Sequence, residues 1–190
     1  MGAPETEITR KIESTGAFML GMFSLSFMIF AIPVGFLGGA RIGRRKTITL
    51  GLLTVIAIIL AAFFIGETSK PQDVALTDPP VIMRFMGLFF LGGIGWAMVN
   101  VNSLPMVVDM TVNEKVGGYT GGLYYFFSQA ANLVAPPFAG ALLDLIGYET
   151  LLPFAVAFFL LALIAMQFVR RGDVKGGAED AYEYVPPDMD

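Results

Sequence analysis

Residues 14–40 and 47–66 carry no Asp, Glu, Lys or Arg, and the six residues between them, Arg41-Ile42-Gly43-Arg44-Arg45-Lys46, hold four of the chain's twelve basic side chains. A spanning helix needs about 20 mostly apolar residues, roughly 30 Å at 1.5 Å per residue. Two such runs around a short basic knot read as two membrane-spanning helices joined by a cytoplasmic turn. Three further runs qualify, so spans are expected at about 15–40, 47–66, 80–108, 117–145 and 150–169. The fold class is all-α: a polytopic membrane helical bundle of about five transmembrane helices. Five consecutive spans on short turns are not a soluble pattern, and a β-barrel would alternate in segments of about ten residues. The first, third and fourth runs exceed a perpendicular span, which predicts tilt or kinks, with Pro33, Pro105, Pro136 and Pro137 as kink sites.

Composition agrees. Hydrophobic residues make up 55% of the 190 and charged residues only 15%, against about 25% charged in soluble domains. The net charge of −4 reflects tails and loops, with Glu179, Asp180, Glu183, Asp188 and Asp190 at the C-terminal end. Residues 1–14 read as a polar tail, 15–170 as the membrane domain and 171–190 as an acidic, disordered tail. There is no Cys and no His, so thiol chemistry, disulfides, Cys/His metal sites and histidine relays are excluded. No metal and no cofactor is expected. Walker, H-E-x-x-H and G-x-S-x-G signatures are absent, and no enzyme activity is expected. Residues 1–15, polar and mixed in charge before an apolar run too long for a signal h-region, do not read as a signal peptide. The basic knot is too short and too close to the membrane for nucleic acid; anionic lipid suits it better.

Basic residues orient the spans. With the 41–46 turn cytoplasmic, the turn at 109–116 and the C-terminal tail share its side, and eight of the twelve Lys and Arg lie there. Arg10, Lys11, Lys70 and Arg84 lie opposite. The expectation is an integral protein of a plasma or inner membrane, N-terminus outside and C-terminus cytoplasmic.

The stretch Phe36-Leu37-Gly38-Gly39-Ala40-Arg41-Ile42-Gly43-Arg44-Arg45-Lys46 resembles the cytoplasmic-loop motif of the major facilitator superfamily, roughly G-x-L-A-D-R-x-G-R-R. Arg41, Gly43, Arg44 and Arg45 match it; the motif's aspartate falls at Ala40 and its first glycine at Phe36. The weaker copy of the motif in the C-terminal half of that family is the better match. Any cytoplasmic turn also collects Arg and Lys. A second stretch, Pro136-Pro137-Phe138-Ala139-Gly140-Ala141-Leu142-Leu143-Asp144-Leu145-Ile146-Gly147-Tyr148, looks like the family's penultimate helix ending. Gly95-Trp96-Ala97 through Asn102-Ser103-Leu104-Pro105 looks most like the sucrose/proton symporter-like sugar branch. The resemblance covers about residues 16–172. It implies a partial facilitator-type half, helices eight to twelve of a twelve-helix transporter, with helix seven and the N-terminal half outside this chain.

Tyr125, Gln129, Asn132 and Pro136 are spaced i, i+4, i+7, i+11, one helical face that Gly118 and Gly122 would extend. An amide in the bilayer core must face protein or water. The stripe is expected to line a solute cavity, the competing role being hydrogen bonds between helices. The pairs Gly117/Gly121 and Gly118/Gly122 could instead serve close helix packing. Asn100 and Asn102 lie about 200° apart around their helix; Asn100 is expected at the solute and Asn102 in packing. Gly92, Gly93 and Gly95 are expected to loosen the turns before Pro105. Trp96 is either a stacking platform for a sugar or a packing residue. Asp109 is expected as an interfacial carboxylate paired with Arg41 or Lys115, with a possible part in gating. No carboxylate lies mid-span, so a proton-coupling acid would belong to the absent half.

The expected function is membrane transport: the C-terminal part of a secondary active transporter moving a small neutral polar solute, a sugar, by alternating access. Its partners would be that solute, membrane lipids, and the missing N-terminal half or a second copy of the chain. The rivals are a homodimerising half-transporter and a non-transporting fragment or membrane scaffold whose fourth span contacts a partner protein.

Overall fold

The computed structural model describes residues 3–68, 79–111 and 113–169. Five helices long and apolar enough to cross a membrane run over Glu13–Arg41, Arg44–Gly66, Pro79–Asp109, Gly118–Ile146 and Tyr148–Phe168, as hydropathy predicts. They are built from α1 (Ala3–Phe36), α2 (Arg44–Thr68), α3 (Pro79–Asp109), α4 (Tyr125–Ile146) and α5 (Leu151–Phe168). A π-helical segment, Leu37–Arg41, ends the first span, and another, Gly118–Tyr124, opens the fourth.

Several boundaries differ from expectation. α1 begins at Ala3, so residues 3–14 of the segment read as a polar tail are helical. α2 begins at Arg44, so half of the basic knot is helix and the turn shrinks to Ile42-Gly43. Gly43 makes that turn at φ +95°, where a side chain would be strained. The expected acidic tail at 171–190 and the outer loop at 69–78 lie outside the described residues. Pro33, Pro105, Pro136 and Pro137 all sit inside continuous helices. The irregular backbone is in the two π-helical segments, both glycine-containing.

α3 is the axis of the bundle: α1 and α2 pack along it, α5 packs on α2, and α4 meets α3 mainly through the second π-helical segment. Lipid tails are as apolar as leucine, so helices associate in a membrane through close packing and polar contacts. Gly92, Gly93 and Gly95 supply the close packing and are all buried. They do not loosen α3. A β-carbon at Gly51 of α2 would lie 2.7 Å from the Gly95 carbonyl oxygen and 2.7 Å from the Met98 β-carbon. One at Gly93 would overlap Ser26 and the Phe23 backbone of α1. At that crossing the fully buried Ser26 donates its hydroxyl proton to the Phe90 carbonyl at 2.6 Å. Ile48, Leu52 and Met106 then form a small core, against which Phe159, Leu163 and Met166 of α5 pack.

Among the described residues, α4, α5 and the second π-helical segment bury none of their own. Built β-carbons at Gly117, Gly118, Gly121 and Gly122 meet nothing within 4 Å, so no helix seats on those glycines here.

Replacing Gly51 with Leu forces a branched side chain into the α2–α3 backbone contact. The expected loss is about 1–3 kcal/mol of stability, the usual cost of overpacking, read as a lowered thermal midpoint in detergent. Gly121→Ala, which meets open space, is expected to leave the midpoint unchanged.

Candidate functional site

The fourth span places Tyr125, Gln129 and Asn132 on exposed surface. The π-helical turns of Gly118–Tyr124 widen the hydrogen-bonding step to i→i+5. Residues 118 and 122 therefore leave the α-helical register that would stack them beneath Tyr125, and the stripe is confined to α4.

What joins this helix to the axis is a contact that sequence spacing did not point out. The hydroxyls of Ser103 on α3 and Tyr124 lie 2.9 Å apart, and Ser103 Oγ is also 3.0 Å from the Asn100 carbonyl oxygen. The Tyr124 ring meets that of Tyr125 edge to face at 5.5 Å. Beside this link, a cavity of about 580 Å³ is lined by Val107, Met110, Tyr119, Leu123, Phe127 and Ser128 along with Tyr124. α3 and the fourth span run antiparallel across their short connection, so the Ser103–Tyr124 level sets their relative depth. Asn100, exposed, lies nine residues from Asp109, about 14 Å along a helix rising 1.5 Å per residue. Taking Asp109 as the edge of the span, that is near the middle of a hydrocarbon layer about 30 Å thick. Gln129, one turn beyond Tyr125, lies at a similar depth.

Asn102 takes the other role expected of it. It is fully buried, its Nδ2 donates to the Met98 carbonyl at 3.0 Å, and its Oδ1 has no partner. It packs on Gly38, where a β-carbon would overlap the carboxamide. Trp96 is not brought together with the amides. Its ring meets Phe159 of α5 edge to face at 6.3 Å, inside a cavity of about 270 Å³ with no polar lining.

At the basic turn, Arg44 Nε donates to Asp109 Oδ2 at 2.5 Å. This replaces the expected pairing of Asp109 with Arg41 or Lys115. The choice has a physical basis. Arg44 opens α2, where the helix dipole is positive, and Asp109 closes α3, where it is negative. Each charge opposes its own helix end and favours the other's. Arg41 sits 5.8 Å from the Phe36 ring, a cation–π contact. Arg45 Nη2 donates to the Gln167 carbonyl of α5 at 2.9 Å. The Gly43 carbonyl accepts from both the backbone N–H and the hydroxyl of Thr47, at 3.1 and 2.9 Å. Arg44, Arg45 and Gly43 thus tie the turn to α3, to α5 and to the first turn of α2, while Arg41 lies against the end of α1.

The Major Facilitator Superfamily profile matches residues 8–182. The chain belongs to the Major Facilitator Superfamily. It is also similar to an uncharacterized MFS-type transporter, C18.02, of Schizosaccharomyces pombe, with 24% identity over 160 residues. That match covers 84% of this chain and 32% of the relative, so the chain spans about a third of the relative's length. No solved structure matches. Within this family match, Arg41, Gly43, Arg44 and Arg45 are the residues that resemble the loop motif, with Ala40 in the place of its aspartate. Asp109, the residue that closes α3, is the carboxylate that meets Arg44.

Neither Ser26 nor the Ser103–Tyr124 pair was legible as a site, because isolated hydroxyls on apolar helices carry no periodic signal. The Arg44–Asp109 pair is expected to contribute about 1 kcal/mol. In a double-mutant cycle on detergent-solubilised protein, Arg44→Gln and Asp109→Asn together should destabilise no more than the worse single change. Full additivity would show that the two charges act separately.

Proposed function

We propose that this chain is the C-terminal five-helix part of a secondary active transporter that moves a small neutral polar solute, a sugar, by alternating access. The observation that carries this reading is the uncharged polar set at mid-span depth. Asn100, Tyr125, Gln129 and Asn132 are exposed in helices whose surroundings are hydrocarbon. Lone amides are costly there unless they meet protein or a water-filled cavity. Amides and a phenol offer hydrogen-bond donors and acceptors without charge, the chemistry that suits hydroxyl-rich neutral solutes. Among the described residues, no carboxylate lies in the middle of a span, and an ion-coupling acid would come from another part of the transporter.

In this reading α1, α3 and α4 form the solute-side wall, and α2 and α5 face lipid with their outer sides. Arg44–Asp109, Arg41 and Arg45 brace the cytoplasmic end, where breaking and remaking contacts accompanies rocking of one half against the other. The remaining wall is a preceding half or a second copy of the chain. Trp96 supports the α3–α5 contact from behind and does not stack on solute. The membrane is a plasma or inner membrane.

Two measurements test this. Uptake of radiolabelled sugars by vesicles containing the protein is expected to fall at least tenfold in Gln129→Ala/Asn132→Ala, about 1.4 kcal/mol or more of lost contact. Uptake that survives the double change removes the stripe from the solute path. A stable homodimer held through α4, with no uptake, would instead support a partner-docking face. For orientation, the chain's lack of cysteine permits single-cysteine labelling. Tyr148→Cys should react with an impermeant maleimide on intact cells, and Ile42→Cys only after permeabilisation; the reverse pattern inverts the topology.

A further inference from the structure

At the end of the bundle that carries the basic turn, a cavity of about 420 Å³ lies between the start of α2 and the end of α5. Arg45, Lys46, Thr49, Leu50, Leu53 and Gln167 line it. Two of the six are cations and none is an acid. Arg45 is engaged as a wall, through its hydrogen bond to the Gln167 carbonyl. Lys46 is exposed, with a flexible stem and three N–H donors. Gln167 Nε2 donates one proton to the Leu163 carbonyl at 3.2 Å, which leaves its second N–H for a ligand. The Thr49 hydroxyl donates to the Arg45 carbonyl at 2.9 Å, so its lone pairs remain to accept from a ligand hydroxyl.

Below these groups the surface changes character. Lys46, Leu50, Leu53, Ala57, Leu60 and Phe64 follow at i, i+4, i+7, i+11, i+14 and i+18, one face of α2. All six are exposed. From Lys46 to Ala57 this stripe runs about 16 Å at 1.5 Å per residue, close to half of a hydrocarbon layer about 30 Å thick. A cationic, hydrogen-bonding cup above an apolar track one leaflet long complements a molecule with an anionic head and a long acyl chain.

We infer that the cavity between the start of α2 and the end of α5 is a binding site for an anionic glycerophospholipid. The phosphate lies against Lys46 and the free Gln167 N–H, a headgroup hydroxyl donates to Thr49, and one acyl chain runs along Leu50, Leu53 and Ala57. The site stands on membrane embedding and charge alone and is independent of the solute that the protein carries. A diffuse attraction of the whole basic turn for a negative leaflet would be spread evenly over its exposed cations. A built site concentrates the effect at Lys46. A bound lipid would also bridge α2 and α5 at the level where Arg45 already joins them.

The test uses the 190-residue chain in a mild detergent, with phosphatidylglycerol and phosphatidylcholine offered in equal amounts and adducts resolved by native mass spectrometry. Phosphatidylglycerol is expected to be retained preferentially. A basic residue near a membrane surface contributes about 1 kcal/mol toward anionic lipid, so Lys46→Gln should cut that preference about fivefold. Lys46→Arg should restore most of it. Arg41→Gln, at the same end but outside the cavity, should cut it less than twofold. Circular dichroism of each variant checks that the helices persist. Equal losses for Lys46→Gln and Arg41→Gln would replace the site with diffuse attraction. No preference for phosphatidylglycerol would overturn the proposal. So would displacement of the lipid by millimolar inorganic phosphate, because the cup would then hold a free anion with no use for the apolar track.

Discussion

The rest of the structure depends on how closely α3 approaches α1 and α2. Inside a bilayer nothing drives two apolar helices together except shape and a few polar contacts. Gly51 against Gly95 and Met98, Gly93 against Phe23 and Ser26, and Gly38 against Asn102 bring backbones to within side-chain range of one another. Any β-carbon at the first two positions would hold the helices apart, and the Ser26–Phe90 hydrogen bond would be lost. Once these contacts fix the rotation of α3, Asn102 is committed to the interior. Asn100, about 200° around the helix, is then committed to the open side. The separation of a buried, packing amide from an exposed one follows from helix geometry and one buried surface.

The ends of the helices obey a different constraint. Spanning segments must finish near water, and unpaired groups accumulate there. Here the beginning of α2 and the end of α3 carry charges that each oppose their own dipole, and pairing Arg44 with Asp109 reverses both penalties. The contact also sets the height of α2 against α3, in register with the Gly51–Gly95 approach deeper in the membrane. Side and end contacts therefore specify the same alignment, which is the consistency expected of a uniquely folded bundle.

Five spans were legible because hydropathy acts over about 20 residues and needs no tertiary information. That Asn100 and Asn102 meet different surroundings was legible because helical angles are fixed locally. The partner of Asp109 was not, since several cations lie within reach of it in sequence and only the α2–α3 alignment selects Arg44. The π-helical segments were also hidden. Gly118 and Gly122 fit an α-helical stripe on paper, and a wider turn carries no residue signature beyond small side chains. Gly92, Gly93 and Gly95 were visible as glycines, but whether they loosen a helix or admit a neighbour depends on what lies opposite.

α4 shows the limit of a bundle read from one side. It carries the densest mid-span polar stripe, yet it is attached to the axis chiefly through the Ser103–Tyr124 contact and the π-helical turns below it. A helix so weakly held has little to oppose a change of tilt, because small shifts at its base are not resisted by buried side chains higher up. The same open attachment leaves Gln129 and Asn132 without partners among the described residues. Hydrocarbon cannot satisfy two such amides, which is the physical reason for proposing that they sit against protein, water or solute. α2 presents the opposite case. Its inner face is locked by glycine and its outer face is uninterrupted hydrocarbon beneath a cationic cup, a surface suited to holding still against lipid. The two helices thus differ in how they are held: α2 is braced against α3, while α4 is weakly attached and carries its polar stripe on an exposed face.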